Sequence, residues 1–236
     1  MAGAMVLLAA TALGVVGYSA RGEKVNPAYG QAMWKEVAVD TFFPATIQHK
    51  REPGSHVGGK EASWYRVAIA PDGSCGAGLS KRSEDLAAEA GCEAAPRATY
   101  VDASGNIVAT VAVVVLKPGG DVDSRSVELA ESLKGITNEF ALVHALPAPG
   151  TPAARWNDEA RNGAHAGEVA SAEVPYVIAA TTGSVDGRRA AKLPPPWSDD
   201  SPRHDRLPWT EAAEALASEV GLWLTDLALK GAKGDE

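Results

Sequence analysis

The chain predicts an α+β fold: a single domain whose antiparallel sheet is covered by helices. Three observations carry this. Residues 107–116, IVATVAVVVL, are apolar on both faces of a strand, which marks a central strand covered on each side. A turn signature, Asp102 to Asn106 with Gly105 suited to positive φ, joins that strand to Tyr100 and Val101 as a hairpin. Near the C-terminus Leu216, Val220, Trp223 and Leu227 recur at helical spacing and give one apolar stripe. The apolar fraction of 45% is enough to build a core.

Residues 4–20 carry no charge, and seventeen helical residues lie at the lower limit for crossing a bilayer. A membrane anchor is the leading reading, so 1–22 is expected to be an N-terminal transmembrane helix or signal segment. A cleaved signal peptide, with Gly17 and Ser19 before the cleavage point, and a buried helix remain as alternatives. Arg21 and Lys24 follow the stretch and by the positive-inside rule favour a cytoplasmic body, whereas the cysteine pair favours export.

Residues 23–63 read as a connecting segment, partly packed. AMWKEVAV suits a short helix, and Pro44 ends any helix begun before it. HKREPGSHVGGKE is a loop by composition. Gly54, Gly59 and Lys60 have the spacing of a phosphate-binding loop, but Glu61 stands where Ser or Thr should bind magnesium. The match is read as chance.

The domain proper is expected over 64–229. Strand 64–70 alternates, with Trp64, Arg66, Ala68 and Ala70 on one face and Tyr65, Val67 and Ile69 on the other. A helix is expected from Ser83, as its cap, to a stop at Gly91. After the hairpin, a helix fits 124–134 and a strand fits 139–146. Residues 147–174 look irregular, with a short helix near Trp156. Strand 175–182 is expected to return through Arg188–Leu193. The Pro-rich run 193–209 is read as extended, and Thr210 as the cap of the last helix. Residues 230–236 are expected to fray.

Net charge is −8, which disfavours binding to nucleic acid. The five histidines are scattered, and no Cys/His set has zinc-site spacing, so neither metal nor cofactor is expected. Asp199, Asp200, His204 and Asp205 crowd one loop but match no calcium pattern and read as a solvated charged loop. The only two cysteines, Cys75 and Cys92, bracket a helix and are read as a disulfide. The competing reading makes Cys75 a nucleophile in the turn GSCGA, with His144 as its base. His144 shares a face with Phe140, Leu142 and Leu146 and reads better as a structural histidine. Trp197 and Trp209 flank the Pro-rich run and are candidates to line a groove.

The Cys-helix-Cys unit, the hairpin YVDASGNIVATVAVVVL, the helix ELAESL and the later YVIAATTGSVDGR follow one another in an order that resembles small membrane-tethered extracytoplasmic proteins of actinobacteria. The order is similar to that of the extracellular sensor domains of mycobacterial receptor-type serine/threonine kinases, over roughly 64–190. That group usually carries two disulfides, and this chain has cysteines for one. The resemblance implies an envelope module and transfers no functional residue.

The expectation is therefore a membrane-tethered extracytoplasmic module of the cell envelope, with its main domain outside the cytoplasm. It would be non-catalytic and bind a partner protein or small ligand. A thiol-dependent hydrolase using Cys75 and His144, and a structural or assembly subunit of an envelope complex, are the alternatives.

Overall fold

The hairpin expected at the centre of the chain is the centre of the sheet. The computed structural model describes residues 27–48, 63–136, 141–168, 174–190 and 206–231. The strands are β1 (Thr46–Gln48), β2 (Ser63–Ile69), β3 (Cys92–Ala94), β4 (Arg97–Asp102), β5 (Ile107–Leu116), β6 (Arg161–Glu168) and β7 (Tyr176–Ser184). Their order is β1-β2-β4-β5-β7-β6, every pair antiparallel, and β3 continues the β4 side of β5. The helices are α1 (Pro27–Glu36), α2 (Val39–Phe42), α3 (Cys75–Gly78), α4 (Lys81–Glu89), α5 (Val122–Gly135) and α6 (Leu207–Gly231).

Alternate residues of β5 point to opposite sides, and both sides are buried. Val111, Val113 and Val115 meet Met33, Phe42 and Phe43 and the α6 stripe of Leu216, Val220 and Leu224. Ala112, Val114 and Leu116 meet Leu129 and Leu133 of α5 together with Leu142 and Val143. The result is an α/β/α sandwich, and α1, α2 and β1 belong to it: residues 27–48 pack into the same core as the later elements. Tyr176 ties α1 down, since its hydroxyl donates to Gly30 O at 2.6 Å.

The hairpin turn is held by one carboxylate. Asp102 Oδ1 accepts from the N–H groups of Asn106 (2.9 Å) and Ile107 (2.7 Å), and Gly105 takes φ +71°. The helix expected to start at Ser83 starts earlier: Ser80 is the cap residue, and Ser83 is buried within α4, its hydroxyl 3.2 Å from that of Ser80. Gly91 ends this unit at φ +85°. In β2 a bulge between Arg66 and Ala68 breaks the expected alternation. Trp64 and Ile69 therefore share one core, while Val67 and Ala68 share another.

Three further expectations are corrected. The segment 141–146 makes a single bridge, Leu79 to Val143, in place of a strand. It crosses over the sheet face, and threonine side chains there take up its backbone: Val143 N–H donates to Thr181 Oγ1 (3.0 Å) and Leu146 N–H to Thr110 Oγ1 (3.1 Å). The irregular stretch contains two short 3-10 turns, Pro152–Arg155 and Asp158–Ala160, and then β6, an unforeseen strand. β7 pairs with β5 and β6, and residues 188–190 form no strand: Asn162 holds them, its side chain donating to Arg188 O (2.8 Å) and accepting from Ala190 N–H (2.7 Å).

Helix α6 starts at Leu207, so Thr210 is inside it and donates to Arg206 O at 3.3 Å. Among the described residues no helix is long and apolar enough to cross a membrane. Residues 4–20, the loop around Gly54, Gly59 and Lys60, and the run holding Trp197, Asp199, Asp200, His204 and Asp205 lie outside the described residues.

Candidate functional site

Cys75 begins α3 and Cys92 begins β3, and the two are joined as a disulfide, 17 residues apart in sequence. A loop of that size restricts the unfolded chain enough to contribute about 3 kcal/mol. The bridge closes α3 and α4 against the sheet. Gly78, at the end of α3, lies so close to the residue that follows β3 that a Cβ there would come 2.5 Å from Ala95 O. The Gly78 carbonyl accepts from His144 N–H at 3.1 Å. The fold thus brings the Cys75 helix beside the His144 segment, as a Cys–His pair would require. With its sulfur bonded to Cys92, however, Cys75 has no thiolate to offer, and the chain holds no other cysteine.

His144 has a partner that the sequence did not suggest. Its Nδ1 lies 2.6 Å from Asp158 Oδ2, and Asp158 Oδ1 accepts from Ala145 N–H at 2.7 Å. Arg161 flanks this carboxylate at 3.3 Å and donates from Nε to Asp158 O (2.7 Å). Arg97 donates to His144 O at 2.9 Å. Burial alone would raise the Asp158 pKa, but the Ala145 N–H, His144 and Arg161 outweigh it and hold the carboxyl below its usual range. The arrangement orients an imidazole and fastens the crossing segment to the turn before β6. The spacing of 14 residues through an irregular stretch left no periodic signal for it.

A second site carries the aromatic residue expected at a groove. A cleft of about 310 Å³ opens at one end of the sheet, between the β4–β5 turn, the turn after β7 and the start of α6. Asn106, Ser184, Asp186, Arg188 and Trp209 line it. Trp209 is pinned from behind: Thr182 Oγ1 donates to its carbonyl at 2.6 Å, and a Cβ on Gly163 would come 2.5 Å from Thr210 N. Asp186 and Arg188 pair at 2.5 Å on the rim. Amide, hydroxyl and charged groups around an indole suit a small polar ligand. Trp197, its expected companion, is outside the described residues.

Among the described residues no group of three or more His, Cys, Asp or Glu side chains is placed to hold a metal ion. No family model, curated protein or solved structure matches this chain.

Proposed function

We propose that this chain is an extracytoplasmic module of the cell envelope, tethered to the membrane through residues 4–20, which binds a partner protein or small ligand without catalysing a reaction. The observation that carries the reading is the Cys75–Cys92 bridge. Structural disulfides persist in oxidising compartments and are rare in the cytosol. The bridge also takes away the nucleophile of the competing thiol-hydrolase reading and leaves His144 with a structural partner, Asp158. The Trp209 cleft is the proposed seat of a small ligand, where an indole face and a ring of polar groups meet.

The test is the intact mass of the protein purified from its native membrane, with and without reductant and alkylating agent. A two-proton deficit that disappears on reduction, in a chain that keeps residues 4–20, supports the reading. Two thiols that alkylate without reduction overturn the compartment and return Cys75 to chemistry.

A further inference from the structure

We infer that the Trp209 cleft binds a neutral pyranose sugar, stacked by its C–H face on the indole and held through its hydroxyls by the polar groups around it. This rests on the small-ligand half of the proposed function and names the ligand's chemistry.

The walls of the cleft are set before any ligand arrives. Ile107 and Ser184 stand opposite each other at the ends of β5 and β7. Val185 N–H donates to Asn106 O at 3.0 Å, which ties the turn after β7 to the β4–β5 turn. Side chains of β7 alternate: a Cβ on Gly183 would point at the Trp156 ring, whereas Thr182 reaches Trp209 O. Ser184 therefore shares the α6 side of the sheet with Thr182, where Trp209 lines the cleft. It is only 9% exposed, and its hydroxyl has no hydrogen-bond partner among the described residues. A mostly buried hydroxyl without a partner costs free energy, so a ligand that supplies one is favoured.

The surrounding groups decide the ligand's charge and shape. Asp186 Oδ2 accepts from Arg188 Nε at 2.5 Å, and Asp186 Oδ1 accepts from Arg188 N–H at 3.1 Å. The pair is neutral as a whole, so an anion would meet the carboxylate and a cation the guanidinium. What the pair offers is an acceptor beside a donor: the remaining lone pairs of the carboxylate and the terminal nitrogens of Arg188. Adjacent ring hydroxyls, each both donor and acceptor, match that couple, and charge-assisted bonds of this kind are the stronger ones. Asn106 adds a side-chain carbonyl oxygen, since its amide nitrogen is the atom that donates to Ser104 Oγ, at 2.9 Å. Mixed donors and acceptors around an indole suit a molecule with hydroxyls on its edge and C–H groups on its face, which is what a pyranose presents. The cleft's volume of about 310 Å³ lies at the lower end for ligand pockets and suits one ring.

The experiment is saturation-transfer nuclear magnetic resonance on the full chain, in a detergent that carries no sugar. The probes are the methyl glycosides of glucose, galactose, mannose and N-acetylglucosamine, with benzoate as a flat anion for comparison. At least one glycoside should bind with Kd on the order of 1 mM and take up saturation chiefly at its ring C–H protons, and benzoate should not bind. Trp209→Ala should weaken glycoside binding at least about tenfold, whereas Trp209→Phe should keep it within about threefold. Asp186→Ala, on an exposed turn, should weaken it severalfold in a chain that still unfolds cooperatively in urea. Glycoside binding left intact by either alanine variant would overturn the inference, as would no glycoside binding at about 10 mM. Binding of benzoate alone would overturn the sugar and keep the cleft as a ligand seat. Failure here in a protein whose mass shows the bridge rejects the sugar and leaves the envelope reading standing. A missing bridge rejects the envelope reading itself.

Discussion

Trp156 Nε1 donates to Thr110 Oγ1 across 2.7 Å inside the core, and the same oxygen accepts the backbone N–H of Leu146 at 3.1 Å. One hydroxyl on the central strand thus satisfies two donors from the segment that crosses it, and Thr99 Oγ1 lies 3.0 Å away and donates to Leu146 O. Thr110→Val keeps the shape and removes the acceptor. Two buried donors would then be orphaned, at a cost of about 3 kcal/mol together. Urea unfolding of the variant would measure this, and a loss under 1 kcal/mol would mean that the strap satisfies itself in another way.

The disulfide prediction is separate. Cys75→Ser with Cys92→Ser should lower the unfolding free energy by about 3 kcal/mol, and wild-type protein under reductant should match it. Agreement between the two would show that the loss comes from the cross-link and not from the serines.

Close packing explains Gly163 of β6, which lies against the backbone that opens α6, and Gly183 of β7, which lies against the Ala160 carbonyl and the Trp156 ring. Gly163→Ala would place a methyl group against the backbone of Trp209 and Thr210, and Gly183→Ala would place one 2.5 Å from the Trp156 ring. Each should cost about 1–3 kcal/mol by overpacking. The first should also disturb the Trp209 cleft, which intrinsic fluorescence would report, whereas the second acts on the opposite face.

Two windows of pH dependence follow from the titrating groups. Burial pushes the His165 pKa below its ordinary value; Glu214 on α6 opposes the shift and Lys134 on α5 adds to it. A depressed folded pKa means that the unfolded chain takes up the proton first. This contribution to stability is therefore whole above about pH 6.5 and is lost as pH falls through the folded value. His165→Gln should flatten the unfolding midpoint in that window. Asp158 is also held below its usual range, so its contribution is present above about pH 3.8 and lost below it. Asp158→Asn should remove that second decline.

The legible parts of the chain were those with strong periodicity. β5, the hairpin turn at Asp102, α5 and the α6 stripe all lie within a few residues of where the pattern of apolar side chains put them. β6 escaped because its residues, RNGAHAGE, include no β-branched side chain and no Phe, Trp or Tyr; Gly163 is bare where α6 comes close, and Ala164 and Ala166 pack into the core on the α5 side, so the usual strand signature is missing. The segment 141–146 misled for the opposite reason. Its alternation is real, but threonine hydroxyls on the sheet take the place of a neighbouring strand. Of the candidate sites, the cysteine pair was readable from its isolation. Asp158 was not, since its meeting with His144 depends on how the irregular stretch folds back.

Helix α6 also gives the molecule a polarity. Its 25 residues make a rod of about 37 Å, with the Trp209 cleft at one end. At the other end Gly231 lies so close to Tyr29, in the first described helix, that a Cβ there would collide with the tyrosine ring. The first and last described helices therefore meet at the end of α6 away from the cleft. The cleft and that junction are therefore separated by the whole length of α6.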